Sequence, residues 1–276
     1  MKAIILSAGR GTRLGSITKT QPKCLLPVCG EESLLEYQLH TLAAAGVSEA
    51  CVVVGHGAEY VESMLRDVKV PRMHVRTLYN PFFDTSDNLM SCFLVREEMK
   101  QPFILLNGDT LFETRVVDRL LASPPASLTL AVNHKSGGAY DADDMKVSLD
   151  GTRLRAVSKK LPLAVVDAES IGLMIFRGDG PAHFRRALEL AAREPGAKKA
   201  WYLSVVDALA RTDRVETVSI SGLRWWEVDC REDLEEARRG LAKNEFSTPV
   251  PLQVLQPATN GRRPWGGRNP QCVSDY

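Results

Sequence analysis

Short aliphatic runs alternate with amphipathic stretches through the first 110 residues, and that alternation restricts the chain to parallel strands joined by crossover helices. Lys2 to Ser7 reads as the first strand. Ser33 to Glu36 forms a capping box, after which Leu35, Leu39, Leu42 and Ala43 share one helix face until Gly46 ends it. A strand at Cys51 to Val54 stops at Gly55, a short helix spans 59–66, and Val75 to Leu78 gives a third strand. Beyond an irregular segment at 79–87, a helix runs from about Asn88 to Met99. Phe103 to Leu106 is apolar throughout, as a strand covered on both faces of a parallel sheet must be.

From about 127 to 176 the period falls to two, with strands expected at 127–133, 144–149, 153–158 and 170–176 and Gly or Asp turns between them. This half is expected to be antiparallel. Helices at about 181–193 and 201–211, strands near 214–220 and 225–228, and a charged helix at 231–243 complete the pattern. The reading is of one domain over 1–243 and a separate tail over 244–276, where five of the 15 prolines fall and periodicity fades. Such a tail is either disordered or an arm laid on this or a neighbouring subunit.

The charges exclude one class of function. Thirty-five basic residues against 34 acidic ones leave a formal charge of +1, so no uniform field draws the chain to nucleic acid or an anionic membrane. No apolar run approaches the roughly 20 residues of a membrane span, and Ala3 to Leu6 is too short for a signal-peptide core. The six cysteines contain no Cys-x-x-Cys pair, which argues against a zinc or thioredoxin-type motif and fits a reducing compartment. The cytosol is the expected location, and a homodimer is left open.

The chemistry concentrates where the first strand breaks into Ser7-Ala8-Gly9-Arg10-Gly11-Thr12-Arg13, followed by Gln21-Pro22-Lys23. A glycine-rich loop exposes backbone N–H groups without side-chain obstruction, a geometry suited to phosphate oxygens, and Arg13 and Lys23 add positive charge. A tight strand-to-helix turn flanked by solvated cations explains the same residues without a ligand. The Walker pattern has no match, and the dinucleotide fingerprint requires Gly or Ala where Leu14 stands, which disfavours a nicotinamide-dependent reductase.

Taken together, residues 3–28, with LSAGRGTRL and then PKCLLPV, resemble the signature of the nucleotidyltransferases that make activated sugars and alcohols. The resemblance extends over about 1–243, through Asn107-Gly108-Asp109, Lys159-Lys160-Leu161, Glu169-Ser170-Ile171-Gly172 and Glu227-Val228-Asp229. It implies a Rossmann-like mixed, mostly parallel sheet flanked by helices, with an antiparallel acceptor-binding half, in the manner of nucleotide-diphospho-sugar transferases. The implied reaction is in-line attack of a phosphate oxygen on the α-phosphorus of a nucleoside triphosphate. Both reactants are anions, so catalysis is mostly charge neutralisation and alignment.

By this resemblance Arg13 and Lys23 are the catalytic cations, and Ser7, Ala8, Gly9, Gly11, Thr12 and Gly108 join Arg13 in holding the nucleotide. Asp109 and Asp229 are the expected Mg²⁺ ligands, because Mg²⁺ takes one or two carboxylates together with phosphate oxygens and water. Each aspartate also has a plain reading: Thr110 to Glu113 forms a capping box that would make Asp109 a turn residue, and Asp229 stands three residues before Glu232 as an N-cap would.

Tyr79-Asn80-Pro81 and Ser86-Asp87-Asn88-Leu89-Met90-Ser91 resemble the segment that lies against the pyrimidine in phosphocholine and phosphonate cytidylyltransferases. Tyr79, Asn88 and Ser91 are the matching positions, which points to CTP. Ser86 or Asp87 also suits a helix cap. For the acceptor, a phospho-alcohol such as phosphocholine is favoured, with Lys146 and Lys159 expected on its phosphate and Glu169, Trp201, Trp226 and Glu227 around its other end. Cation–π attraction to a quaternary ammonium is worth about 0.5–2 kcal/mol per ring. Trp225 and Trp226 are neighbours on a strand, so at most one of them faces that pocket. The rivals are a phosphonate or sugar-1-phosphate nucleotidyltransferase and a nucleotide-binding regulatory homologue without catalysis.

Overall fold

The computed structural model describes residues 1–135 and 137–242; the tail and its proposed boundary lie outside them. In chain order the elements are β1 (Lys2–Ser7), β2 (Pro27–Cys29), β3 (Glu32–Ser33), α1 (Leu34–Ala44), β4 (Glu49–Val54), α2 (Ala58–Asp67) and β5 (His74–Tyr79). Next come α3 (Asn88–Val95), β6 (Phe103–Asn107), β7 (Thr110–Phe112), α4 (Thr114–Leu121), β8 (Leu128–Asn133), β9 (Lys146–Asp150) and β10 (Arg153–Val157). The chain continues with β11 (Ala168–Phe176), α5 (Gly180–Ala191), α6 (Leu203–Thr212), β12 (Val215–Ser219), β13 (Trp225–Glu227) and α7 (Arg231–Ala242).

Nine strands form one mixed sheet in the order β5-β4-β1-β6-β11-β8-β12-β10-β9. The first four pair in parallel, and β11 joins β6 antiparallel to open the second half. That half is not uniformly antiparallel, because β12 runs parallel to β8. The Ser33–Glu36 capping box is present, each side chain bonding the other residue's backbone N–H.

β1, β4 and β6 are almost wholly buried because helices cover both faces. On one face Phe103 and Phe176 stack with centroids 4.4 Å apart, and Phe184 of α5 follows at 4.5 Å. Such aromatic pairs add about 0.5–1.5 kcal/mol each beyond the area they bury. On the other face α1 and α4 lay Leu39, Leu42, Val116 and Leu120 on Ile5, Ile104 and Leu106.

The short β7 and the helix after it replace the capping box expected at Thr110–Glu113. Thr110 is wholly buried in β7, its hydroxyl donating to the Ile171 carbonyl, and Glu113 rather than Thr110 stands at the N-cap of α4. A short β2–β3 hairpin, too brief to show a period in the sequence, precedes α1, and the helix from Asn88 yields to a 3-10 turn after Val95. Among the described residues no helix is long and apolar enough to cross a membrane.

Candidate active site

β1 and β6 are parallel neighbours in register, with Leu6 opposite Asn107, so the loops that follow them leave the same sheet edge side by side. Ligands of open α/β sheets bind at such carboxyl edges. The loop after β1 turns at Gly11, whose φ of +62° is left-handed, and a Cβ there would meet Lys23 Cβ at 3.0 Å. Thr18 Oγ1 donates to the Gly11 carbonyl at 2.9 Å and brings the far arm of the loop, with Lys23, under the turn. The loop after β6 begins with Gly108, where a Cβ would stand 2.2 Å from Ser7 Oγ.

β13 pairs with β7, Glu227 opposite Thr110, and the Val228 N–H donates to the Asp109 carbonyl at 2.9 Å. This small ladder carries Asp229 to Asp109. One carboxylate oxygen from each of Asp109, Glu227 and Asp229 lies within 4.8 Å of the others. Lys23 Nζ lies between the two aspartates, 2.8 Å from Asp109 and 2.9 Å from Asp229, while Arg13 reaches Asp229 at 2.7 Å. The aspartate carboxylate therefore faces cations and does not cap a helix. It is Asp233 that closes the start of α7, accepting from the N–H groups of Asp229 and Cys230.

Burial alone would lower the pKa of Lys23, but Asp109 and Asp229 outweigh it and hold the ammonium above its ordinary value. Glu227 as a residue is open to the cleft, yet protein surrounds its carboxyl closely enough that desolvation, with the charges of Asp109 and Asp229, pushes it up to about 8. Three carboxyls this close, one favouring its proton, are short of positive charge. Asp109 Oδ1 is buried without a hydrogen-bond partner. Hard oxygen donors and an orphaned carboxylate oxygen fit a divalent cation of the Mg²⁺ type.

These residues lie in a cleft of about 360 Å³. Of the residues expected at a site, Ala8, Gly9, Gly11, Thr12, Arg13, Lys23, Asn88, Ser91, Asp109, Lys159, Trp201, Glu227 and Asp229 line it. Six other expected residues sit elsewhere. Ser7 is buried behind the wall and Gly108 packs against it. Tyr79 is half exposed, its ring 6.4 Å from that of Phe83, and Phe83 is the one that lines the cleft. Lys146 is buried and donates to the carbonyls of Ala142 and Lys159, so its charge is spent on the backbone. Glu169 accepts from Asn133 at 2.9 Å and pairs with Lys135 at 3.2 Å, behind the cleft. Trp226 packs between the β2 hairpin and α7, where a Cβ on Gly240 would strike its ring, so neither tryptophan of β13 reaches the cleft.

The cleft also contains residues that were not assigned to it from the sequence. Asn80, Asn107, Asp143 and Ser170 line it. Asp143 stands 3.8 Å from both Arg13 and Lys159. Lys159 Nζ lies 4.9 Å above the Trp201 ring, a cation already seated on an aromatic face.

The CMP-5'-(3-aminopropyl)phosphonate synthase of Streptomyces rubellomurinus is 33% identical over 95% of the chain, which spans 41% of that protein. The CTP:phosphoglutamine cytidylyltransferase of Campylobacter jejuni is 25% identical, with 85% of this chain aligned to 98% of that one. Among solved structures, the CTP:phosphocholine cytidylyltransferase of Streptococcus pneumoniae superposes with a TM-score of 0.66 over 87% of this chain and 98% of its own, at 19% identity, a likeness of fold. Residues 3–240 match the MobA-like NTP transferase domain, and the chain belongs to that nucleotidyltransferase family.

Proposed function

We propose that the protein transfers a cytidylyl group from CTP to a small phosphate- or phosphonate-bearing acceptor and releases pyrophosphate, with Mg²⁺ as its metal. The observation that carries this reading is the meeting of Lys23, Arg13 and three carboxylates beneath the glycine-rich loop. A monoester oxygen is already deprotonated at pH 7, so the site needs no dedicated base. It needs cations on the triphosphate and a fixed approach for the acceptor. Arg13, with a planar fork, suits the departing phosphates, and Lys23, a compact charge beside both aspartates, suits the α-phosphate. Asp109 and Asp229 would hold the Mg²⁺, with Glu227 beside them; when bound, the metal neutralises phosphate charge and aligns the triphosphate.

For the acceptor, the part-exposed Trp201 ring, which already holds the Lys159 ammonium over one face, with Asp143 nearby, supports a group ending in an ammonium that takes the place of Lys159. Phosphocholine has such a group. An aminoalkylphosphonate has one too, and the Streptomyces relative's name favours this second reading equally. A silent regulatory homologue is disfavoured because Arg13, Lys23, Asp109 and Asp229 are drawn together.

The test is pyrophosphate release from CTP, UTP, GTP and dTTP, each with phosphocholine, an aminoalkylphosphonate and a sugar 1-phosphate. Turnover of CTP with one of the first two is expected. Preference for UTP or dTTP with the sugar phosphate would move the protein to the sugar-nucleotide branch. CTP binding without pyrophosphate from any acceptor would make it a nucleotide sensor.

A further inference from the structure

α3 and the segment before it make part of the cleft wall, and the hydrogen-bonding groups of that wall are fixed by their partners within the protein. We infer that Asn80, the buried partner of Ser91, sets that polarity so that Ser91 and Asn88 both present donors to the nucleobase and select cytosine over uracil. The inference rests on the nucleotidyl-transfer reading above and adds to it the means of base selection.

Asn80 is 1% exposed and Ser91 4%. The Phe82 N–H donates to Asn80 Oδ1 at 2.8 Å, and a backbone N–H can only donate, so the orientation of the amide is settled. Asn80 Nδ2 therefore points at Ser91 and donates to its Oγ at 3.0 Å. A hydroxyl that receives this bond keeps its own proton to give, and among the described residues nothing takes it. If Ser91 accepted a second bond from a ligand, that proton would be stranded in a buried position, at a cost comparable to a lost hydrogen bond. Asn88 is fixed by the same logic: the Tyr202 N–H donates to its Oδ1 at 3.0 Å, leaving the Nδ2 hydrogens for the cleft. The two residues are three apart on α3 and so share a face.

A wall of two donors fits a base edge with two adjacent acceptors. Cytosine offers O2 and N3 side by side. Uracil and thymine carry a hydrogen on N3, which meets a donor head-on. A site built to hydrogen-bond one partner rejects an analogue that cannot reciprocate by large factors, because its buried groups are left unpaired.

The experiment compares kcat/KM for CTP and UTP in wild type and in Asn80→Asp, at pH above 7, where an aspartate flanked by two donors is ionised. The new side chain has the same shape and keeps the Phe82 contact, but it accepts where the amide donated and turns the Ser91 proton away from the cleft. The CTP/UTP ratio is expected to fall at least about 10-fold, a change that general loosening of the fold would not produce. Independently of any variant, the wild-type protein is expected to use a CTP analogue lacking the 4-amino group but to lose about 100-fold on one with carbon in place of N3. An unchanged ratio in folded Asn80→Asp, or equal use of the 3-deaza analogue, overturns the inference and leaves cytidylyl transfer standing. A wild-type protein that turns over no CTP overturns both.

Discussion

Asp109 and Asp229 grip the same ammonium, that of Lys23, at 2.8 and 2.9 Å. The side chain expected to meet phosphate thus occupies the carboxylates expected to meet metal. Its raised pKa means that it stays charged through the physiological range.

Metal and nucleotide should therefore bind cooperatively. Phosphate oxygens that draw Lys23 away uncover both aspartates, so Mn²⁺ affinity is expected to rise about 5–150-fold with CTP present, beyond what CTP binds without protein. Lys23→Met should raise Mn²⁺ affinity in the nucleotide-free protein and weaken the coupling, leaving the part that phosphate ligation of the metal supplies. Equal Mn²⁺ affinity with and without CTP would mean that Lys23 does not compete.

Removing one charge from either aspartate should cost catalysis and spare the fold. Asp109→Asn and Asp229→Asn are each expected to lower kcat at least about 100-fold, since a preorganised charge is lost while no core volume changes. Circular dichroism and melting should stay near wild type. Near-normal turnover in both variants would refute the pair.

Gly108 is fixed by packing. A methyl at this position would stand 2.2 Å from Ser7 Oγ and 2.6 Å from the Leu6 carbonyl. Gly108→Ala is expected to cost about 1–3 kcal/mol in denaturant unfolding, because β1 and β6 must part where the two loops begin. Unchanged stability would show that this edge of the sheet is slack.

The pairing of His40 with Glu32 at 2.5 Å gives the fold a pH signature. The hydrogen bond that His40 Nδ1–H donates to the Glu32 carboxylate raises the His40 pKa against a smaller opposing effect of burial. A histidine whose pKa is raised on folding stabilises fully below its unfolded value of about 6.5, and that contribution is lost as pH climbs through the folded value. The melting-temperature gap between wild type and Glu32→Gln should be wide at pH 6 and narrow at pH 8.5. A gap that is constant with pH would show that the pair does not titrate on folding.

The parallel half was legible because fully apolar strands and a capping box leave few alternatives: β1, β4, β6 and α1 follow the pattern of burial. The glycine-rich loop over the cleft was legible from its glycines and cations. The strand β7 was not, because three residues inside a turn-like context carry no period, and it is this strand that pairs with β13 and aligns Asp229 beside Asp109. Polarity alone misled at Lys146 and Glu169. Both are charged residues on strands of the second half of the sheet, and both are satisfied internally, by carbonyls and by Asn133 with Lys135. Asn80 gives no signal of its own in the sequence, since a buried amide that bonds another side chain's hydroxyl follows no spacing rule.

The most direct test of the account is an anomalous-diffraction map of crystals grown with CTP and Mn²⁺. The account predicts one strong peak within coordination distance of both Asp109 and Asp229, with Lys23 withdrawn onto phosphate oxygens. Nucleotide bound in the cleft with the metal peak away from both aspartates, or with Lys23 still held between them, would contradict it.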